Sequence, residues 1–175
     1  MTYVVELFTA VGTSVVAQMD PGVAPGPGGL TSVLGSAVGA FLTTLIAGAI
    51  LIAVVPDYAR KQMADVLENP VGSFLYGLAS LVLLFLATLV LVLTVIGIVL
   101  AIPLAVLAYI VWAVGAAIAF LAIGDRLVGH QEGWTKPLLV GSAINGGLTL
   151  TGIGGLVTFA IGAAGFGAVL RGYLK

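Results

Sequence analysis

Long uncharged stretches alternate with short polar clusters along this chain. Pro21–Pro56, Asn69–Gly124 and Pro137–Leu170 contain no Asp, Glu, Lys, Arg or His; they run for 36, 56 and 34 residues. About 20 apolar residues cross a bilayer as a helix, so the middle run holds two crossings and the turn between them. The pattern predicts spans near 30–55, 70–95, 101–123, 137–151 and 155–170. Pro56 ends the first span, Pro70 opens the second and Pro137 the fourth, each where a proline suits a helix boundary. Gly97 lies in an apolar turn, Val95–Val99, and Pro103 stands at the start of the third span. Gly146-Gly147 and Gly152 to Gly155 interrupt the last pair.

The polar clusters read differently. In 57–68, Ala59, Met63, Val66 and Leu67 share one helical face, and Arg60, Lys61, Asp65 and Glu68 fall elsewhere. This predicts an amphipathic link lying along the membrane surface, with Asp57 and Lys61 as a favourable i,i+4 pair. Trp134, at the edge of the cluster Asp125–Lys136, is a suitable interfacial anchor. Ahead of the spans, Val4–Met19 has helical spacing but is only about 24 Å long. It reads as an interfacial helix, with a tilted extra span as the alternative, and Asp20–Gly29 reads as a Gly/Pro linker. Residues 1–29 thus precede a polytopic membrane domain, 30–175. Met1–Gln18 has no Lys or Arg and is not a good secretory signal.

Composition agrees: 61% of residues are hydrophobic and 7% charged, with mean hydropathy +1.25, against about 25% charged in soluble domains. The expected class is an all-α integral membrane protein, a helical bundle of four to five membrane segments whose last hairpin is short and Gly-rich. All six Lys and Arg fall at 60–61, 126 and 136, and 171 and 175. Five crossings put these places on one side, and the connections near Gly97 and Gly152 carry no charge. The positive-inside rule makes the basic side cytoplasmic, with the N-terminus outside and the C-terminus inside a multi-pass protein of the cell membrane.

The two later hairpins resemble each other. Asn69-Pro-Val-Gly-Ser parallels Lys136-Pro-Leu-Leu-Val-Gly-Ser, and Leu93-Thr-Val-Ile-Gly-Ile parallels Leu148-Thr-Leu-Thr-Gly-Ile. The second is shorter by 12 residues per arm, about 18 Å of helix. It should dip into the membrane or cross a thin region, with its turn buried against the longer helices. Gly35 and Gly39 form a GxxxG pair suited to close helix contact.

Few groups could carry chemistry. Net charge −1 offers no basic surface for nucleic acid, and without cysteine there is no thiol chemistry. No uncharged run contains an acid, base or His, which counts against ion-coupled transport. Asn145, Thr149, Thr151, Thr43-Thr44 and Tyr109 are the polar candidates. Asn145 reads as an interhelical hydrogen-bonding or capping group, and as a pore or substrate contact in the alternative. His130 with Glu132 provides too few ligands for a metal and reads as a solvated loop residue. Asp125, Arg126 and Lys136 read as an interfacial charge cluster. Tyr109 and Trp112, at i,i+3, should share a packing face. The glycine runs lack the Lys of a phosphate loop. No catalytic, cofactor or metal residues are expected, and no enzyme activity.

From about Phe41 to Lys175 the chain resembles the transmembrane region of bacterial and archaeal proteins related to bactofilin, the polymer-forming cytoskeletal family. The resemblance rests on Val55-Pro56, Asn69-Pro70, Gly72 and Gly77, the Leu-Thr-Val-Ile-Gly-Ile turn with Pro103, Ala122-Ile-Gly-Asp-Arg-Leu, Lys136-Pro137 and the Gly-rich final hairpin. It implies a membrane anchor or scaffold for a cytoskeletal or envelope-associated partner and supplies no catalytic residues. The fuller members carry a soluble β-helix; residues 1–30 are too few for one, so the polymer would be a separate protein. The expected partners are the lipid bilayer, a bactofilin-like polymer or other cytoplasmic protein, and a second copy of the chain. A small transporter or channel using the short hairpin near Asn145 is the alternative.

Overall fold

A computed structural model describes residues 29–174, apart from Glu132 and Gly152. The N-terminal helix expected over Val4–Met19 and its linker lie outside the described residues. Six helices follow in order: α1 Gly29–Val54, α2 Pro56–Glu68, α3 Pro70–Val92, α4 Val95–Val128, α5 Thr135–Leu148 and α6 Gly154–Leu174. Four of them are long and apolar enough to cross a membrane: α1, α3, α4 and α6. The fold is the expected all-α membrane bundle.

Prolines and short polar side chains set the boundaries. Val55, held non-helical before Pro56, separates α1 from α2. Asn69 separates α2 from α3 and caps the latter, its Oδ1 accepting from the Gly72 amide at 2.9 Å. The α3–α4 turn is only Leu93-Thr94. Thr94 Oγ1 donates to the Leu91 carbonyl and accepts from the Gly97 amide, both at 3.0 Å. Val95–Val99, expected as a turn, is therefore the first turn of α4. Pro103 lies inside that helix, which is longer than expected at 34 residues, about 51 Å.

The expected α2 faces inward, onto protein. Ala59, Gln62, Met63 and Val66 are buried, and the helix packs on α1, α3, α4 and α6. Its apolar side is thus covered by the bundle's own end. Asp57 reaches Arg60 at 4.0 Å, at i,i+3, where Lys61 was the expected partner. Both side chains are largely exposed, so the pair adds little stability.

α4 is the hub. From Ala117 to Ala122 every residue is at most 1% exposed, because α1, α2, α3, α5 and α6 all touch this helix. Contacts fix the directions. Gly48 of α1 meets Leu138 of α5, and Gly146 of α5 meets Ala37 and Phe41 of α1. Gly124 and Phe120 of α4 meet Pro137 and Gly141 of α5. Ser73 and Gly77 of α3 meet Gly167 and Ala163 of α6, whereas Gly115 of α4 meets Gly165 and Phe166 of α6. So α1, α4 and α6 run one way and α3 and α5 the other. Arg60, Lys61, Arg126, Lys136 and Arg171 consequently gather at one end.

Lipid tails provide no hydrophobic drive between helices, so close backbone contact matters most. A Cβ at Gly77 would strike the Ala163 carbonyl, and one at Gly167 the Ser73 carbonyl. Gly115 and Gly165 face each other's backbones likewise. The GxxxG pair behaves otherwise. Among the described residues, a Cβ at Gly35 or Gly39 would meet nothing within 4 Å.

The repeat is visible, with a different register. Leu91-Val-Leu-Thr-Val-Ile-Gly97 matches Leu148-Thr-Leu-Thr-Gly-Ile-Gly154. Thr151 Oγ1 donates to the Leu148 carbonyl as Thr94 Oγ1 does to that of Leu91, and Gly154 abuts these groups as Gly97 does. Thr94 thus pairs with Thr151, not with Thr149. Each hairpin packs its first helix on the second helix of the other: α3 on α6, and α5 on α4.

Only one arm of the second hairpin is short. α5 has 14 residues, about 21 Å against the roughly 30 Å hydrocarbon core. α6 has 21 residues and is long enough to span. Past the Gly146 contact α5 has two residues left, while α1 continues eight residues beyond Ala37. The turn does not gain the expected burial: Leu150 is 51% and Ile153 69% exposed. Several of its polar groups bond locally. Thr149 Oγ1 donates to the Gly146 carbonyl at 2.6 Å, Thr151 Oγ1 to that of Leu148 at 2.8 Å, and the Gly154 amide to that of Thr151 at 3.0 Å.

Candidate interaction face

The two polar segments, some 70 residues apart in sequence, meet at the basic end of the bundle. α4 ends at Gly129, whose φ of 66° suits glycine at a helix C-terminus. Gly133, with φ 106°, turns the chain again. Between them His130 folds back, its Nδ1 lying 2.6 Å from Asp125 Oδ1. With Asp125 ionised, the ring nitrogen donates. The imidazole also stacks on Trp134, with centroids 4.5 Å apart and planes 6° from parallel. Arg60 reaches across from α2, its guanidinium carbon 5.4 Å from the centre of the Trp134 ring, within cation–π range. Trp134 is also packed against the buried cluster of Leu51, Ala59, Met63 and Leu121. A chain of contacts Asp57–Arg60–Trp134–His130–Asp125 therefore ties α2 to the loop and seats both on the core.

Several expected roles change. His130 is half-exposed, as a loop histidine would be, but it is ordered by stacking and by a carboxylate. Within the expected charge cluster, Asp125 pairs with His130. No group of three or more metal-ligating side chains occurs among the described residues. Tyr109 is 66% exposed, whereas Trp112 packs on Phe159 and Phe166 of α6. The two do not share a face.

Asn145 is buried at the α1–α5 crossing. Its Nδ2 donates to Thr44 Oγ1 at 2.7 Å and to the Ala40 carbonyl at 3.3 Å. Thr44 is buried with it and Thr43 is exposed. Thr149 and Thr151 serve the turn. The Asn145 bonds close a helix contact, which is the structural role open to such a group. Asn145→Leu should lower stability by about 1 kcal/mol, the usual scale of interhelical bonds in membranes. Unfolding in mixed micelles would measure it, and an unchanged midpoint would remove Asn145 from the packing.

Gln62 was not apparent as a core residue from the sequence. It is 1% exposed, on the inner face of α2 against Gly172 of α6. Its spacing from Ala59 and Met63 puts it on the apolar face, and only its polarity masks that position. Ser73 and Ser142 are likewise wholly buried. Ser73 stands at the Gly167 contact and Ser142 follows Gly141, which meets Phe120; small residues at such crossings permit close approach.

The geometry defines a multi-pass helical membrane protein with an ordered polar face at one end. The chain belongs to the family described as Domain of unknown function (DUF8173), whose model matches residues 1–175. No curated protein and no solved structure matches it.

Proposed function

We propose that this protein is a non-enzymatic membrane anchor or scaffold that presents the Asp57–Arg60–Trp134–His130–Asp125 face to a cytoplasmic partner. The observation that carries this reading is the joining of α2 to the 125–136 loop through Arg60, Trp134 and His130. Charged and aromatic side chains held in fixed positions lose little entropy on binding. The gathering of Arg60, Lys61, Arg126, Lys136 and Arg171 at this end supports a cytoplasmic orientation by the positive-inside rule, with the C-terminus inside and the N-terminus outside across five segments. The resemblance to bactofilin-related membrane regions suggests a bactofilin-like polymer as the partner.

Orientation is open to a direct check, since the chain has no cysteine. A single cysteine at Gln131 should react with a membrane-impermeant maleimide only in inverted vesicles; labelling of right-side-out cells would reverse the topology. The partner is tested by floating proteoliposomes with a purified bactofilin polymer. Co-flotation is expected, with loss in Arg60→Glu. A polymer that stays at the bottom with the wild-type protein would end the bactofilin assignment. Solute flux abolished by Asn145→Leu in the same vesicles would favour transport instead.

A further inference from the structure

A groove of about 410 Å³ opens near the basic end, lined by α2, α3, α4 and α6. Its size falls in the ordinary range for small-ligand sites. Val66, Phe74 and Ile123 are among its larger walls, and Ala119, Ala160 and Ala164 leave it unfilled. Every lining side chain is apolar except Arg126. Arg126 and Ala119 are two turns apart on α4, so the groove extends about 10 Å along the helix axis from the level of Arg126 toward the bundle's middle. Asp125 is engaged by His130, and Arg126 makes no ion pair among the described residues.

We infer that this groove is a phospholipid site: it takes the upper part of one acyl chain, and Arg126 binds the phosphate of an anionic headgroup. A water-soluble metabolite would find a single polar group here and would lose its hydration to an apolar wall. An acyl chain loses nothing by entering. A guanidinium matches phosphate bidentately, and at the membrane boundary an anionic lipid headgroup supplies a phosphate whose acyl chain can enter the adjoining apolar slot. A basic group closing an apolar slot between helices is the arrangement that selects anionic over zwitterionic headgroups. The inference stands apart from the partner-binding reading, because the groove lies on the α3–α4 side and uses none of the residues stacked on Trp134.

The test is native mass spectrometry of the full chain in detergent, offered equimolar phosphatidylglycerol and phosphatidylcholine. Phosphatidylglycerol should be retained about fivefold more, as expected for one surface cation acting on one anionic headgroup. Arg126→Gln should abolish that preference while leaving the helical circular dichroism intact, since Arg126 is exposed. Ala160→Leu should reduce retention of both lipids by filling the groove. Lys61→Gln, a charge change at the same end but outside the groove, should leave the preference intact. Equal retention of the two lipids by the wild-type protein, or a preference that survives Arg126→Gln, would overturn the site.

Discussion

Gly115→Ala and Gly77→Ala should each destabilise the bundle by about 2–3 kcal/mol, the upper part of the range for overpacking a tight interior. The new Cβ at Gly115 would lie 2.5 Å from the Phe166 amide nitrogen and 2.7 Å from the Gly165 carbonyl carbon. At Gly77 it would meet the Ala163 carbonyl. These obstacles are backbone, which has no rotamer by which to move aside, so α6 must shift away from α4 or α3. Such a shift also loosens the reciprocal contacts of Gly165 and Gly167. Alanine's better helix propensity, about 1 kcal/mol over glycine, offsets only part of the cost. Gly35→Ala and Gly39→Ala are the controls, for they meet open space. They should leave stability unchanged or raise it by up to about 1 kcal/mol. Unfolding curves in mixed micelles would rank the four. A chain that tolerates Gly115→Ala but fails with Gly35→Ala would invert the assignment of packing faces.

Trp134→Ala should release α2 from the bundle without unfolding it. The substitution removes the cation–π contact with Arg60, the stack with His130 and the contact with the core. Together these amount to about 2–3 kcal/mol. The loss is local, because α4 and α6 are held by crossings that Trp134 does not touch. Hydrogen exchange read by mass spectrometry should show amides of 57–68 exchanging at least about tenfold faster, the factor for 1.4 kcal/mol. Amides of 115–122 should be unaffected. Trp134→Phe keeps a ring for both neighbours and should recover most of the protection. Unaltered exchange in α2 would mean that its buried face, Ala59, Gln62, Met63 and Val66, holds it alone.

Much of this architecture was legible in the chain. Three uncharged runs bounded by Pro56, Pro70 and Pro137 marked the spans, because lipid excludes charge and proline cannot continue a helix. Helix ends were less legible. Val95–Val99 has the glycine of a turn, yet Thr94 caps there and the helix begins at once. Pro103 costs one backbone bond, which a long helix bears, so it did not end α4. The 155–170 segment was expected short, but Arg171 lies at the basic end, where a charged residue can remain helical.

The sequence by itself determined membrane residence, the helical class and the clustering of basic residues at the ends of the spans. These depend on the transfer cost of side chains, which each residue contributes almost independently. Only the tertiary structure decided which glycines are contacts and which face outward. Gly35 and Gly115 are indistinguishable by composition, and only a neighbouring backbone separates them. The structure likewise decided that α2 packs on protein, that Asp125 belongs to His130, and that Arg60 lies over Trp134. Each of these depends on where two distant segments meet, and no local pattern of residues carries that distance.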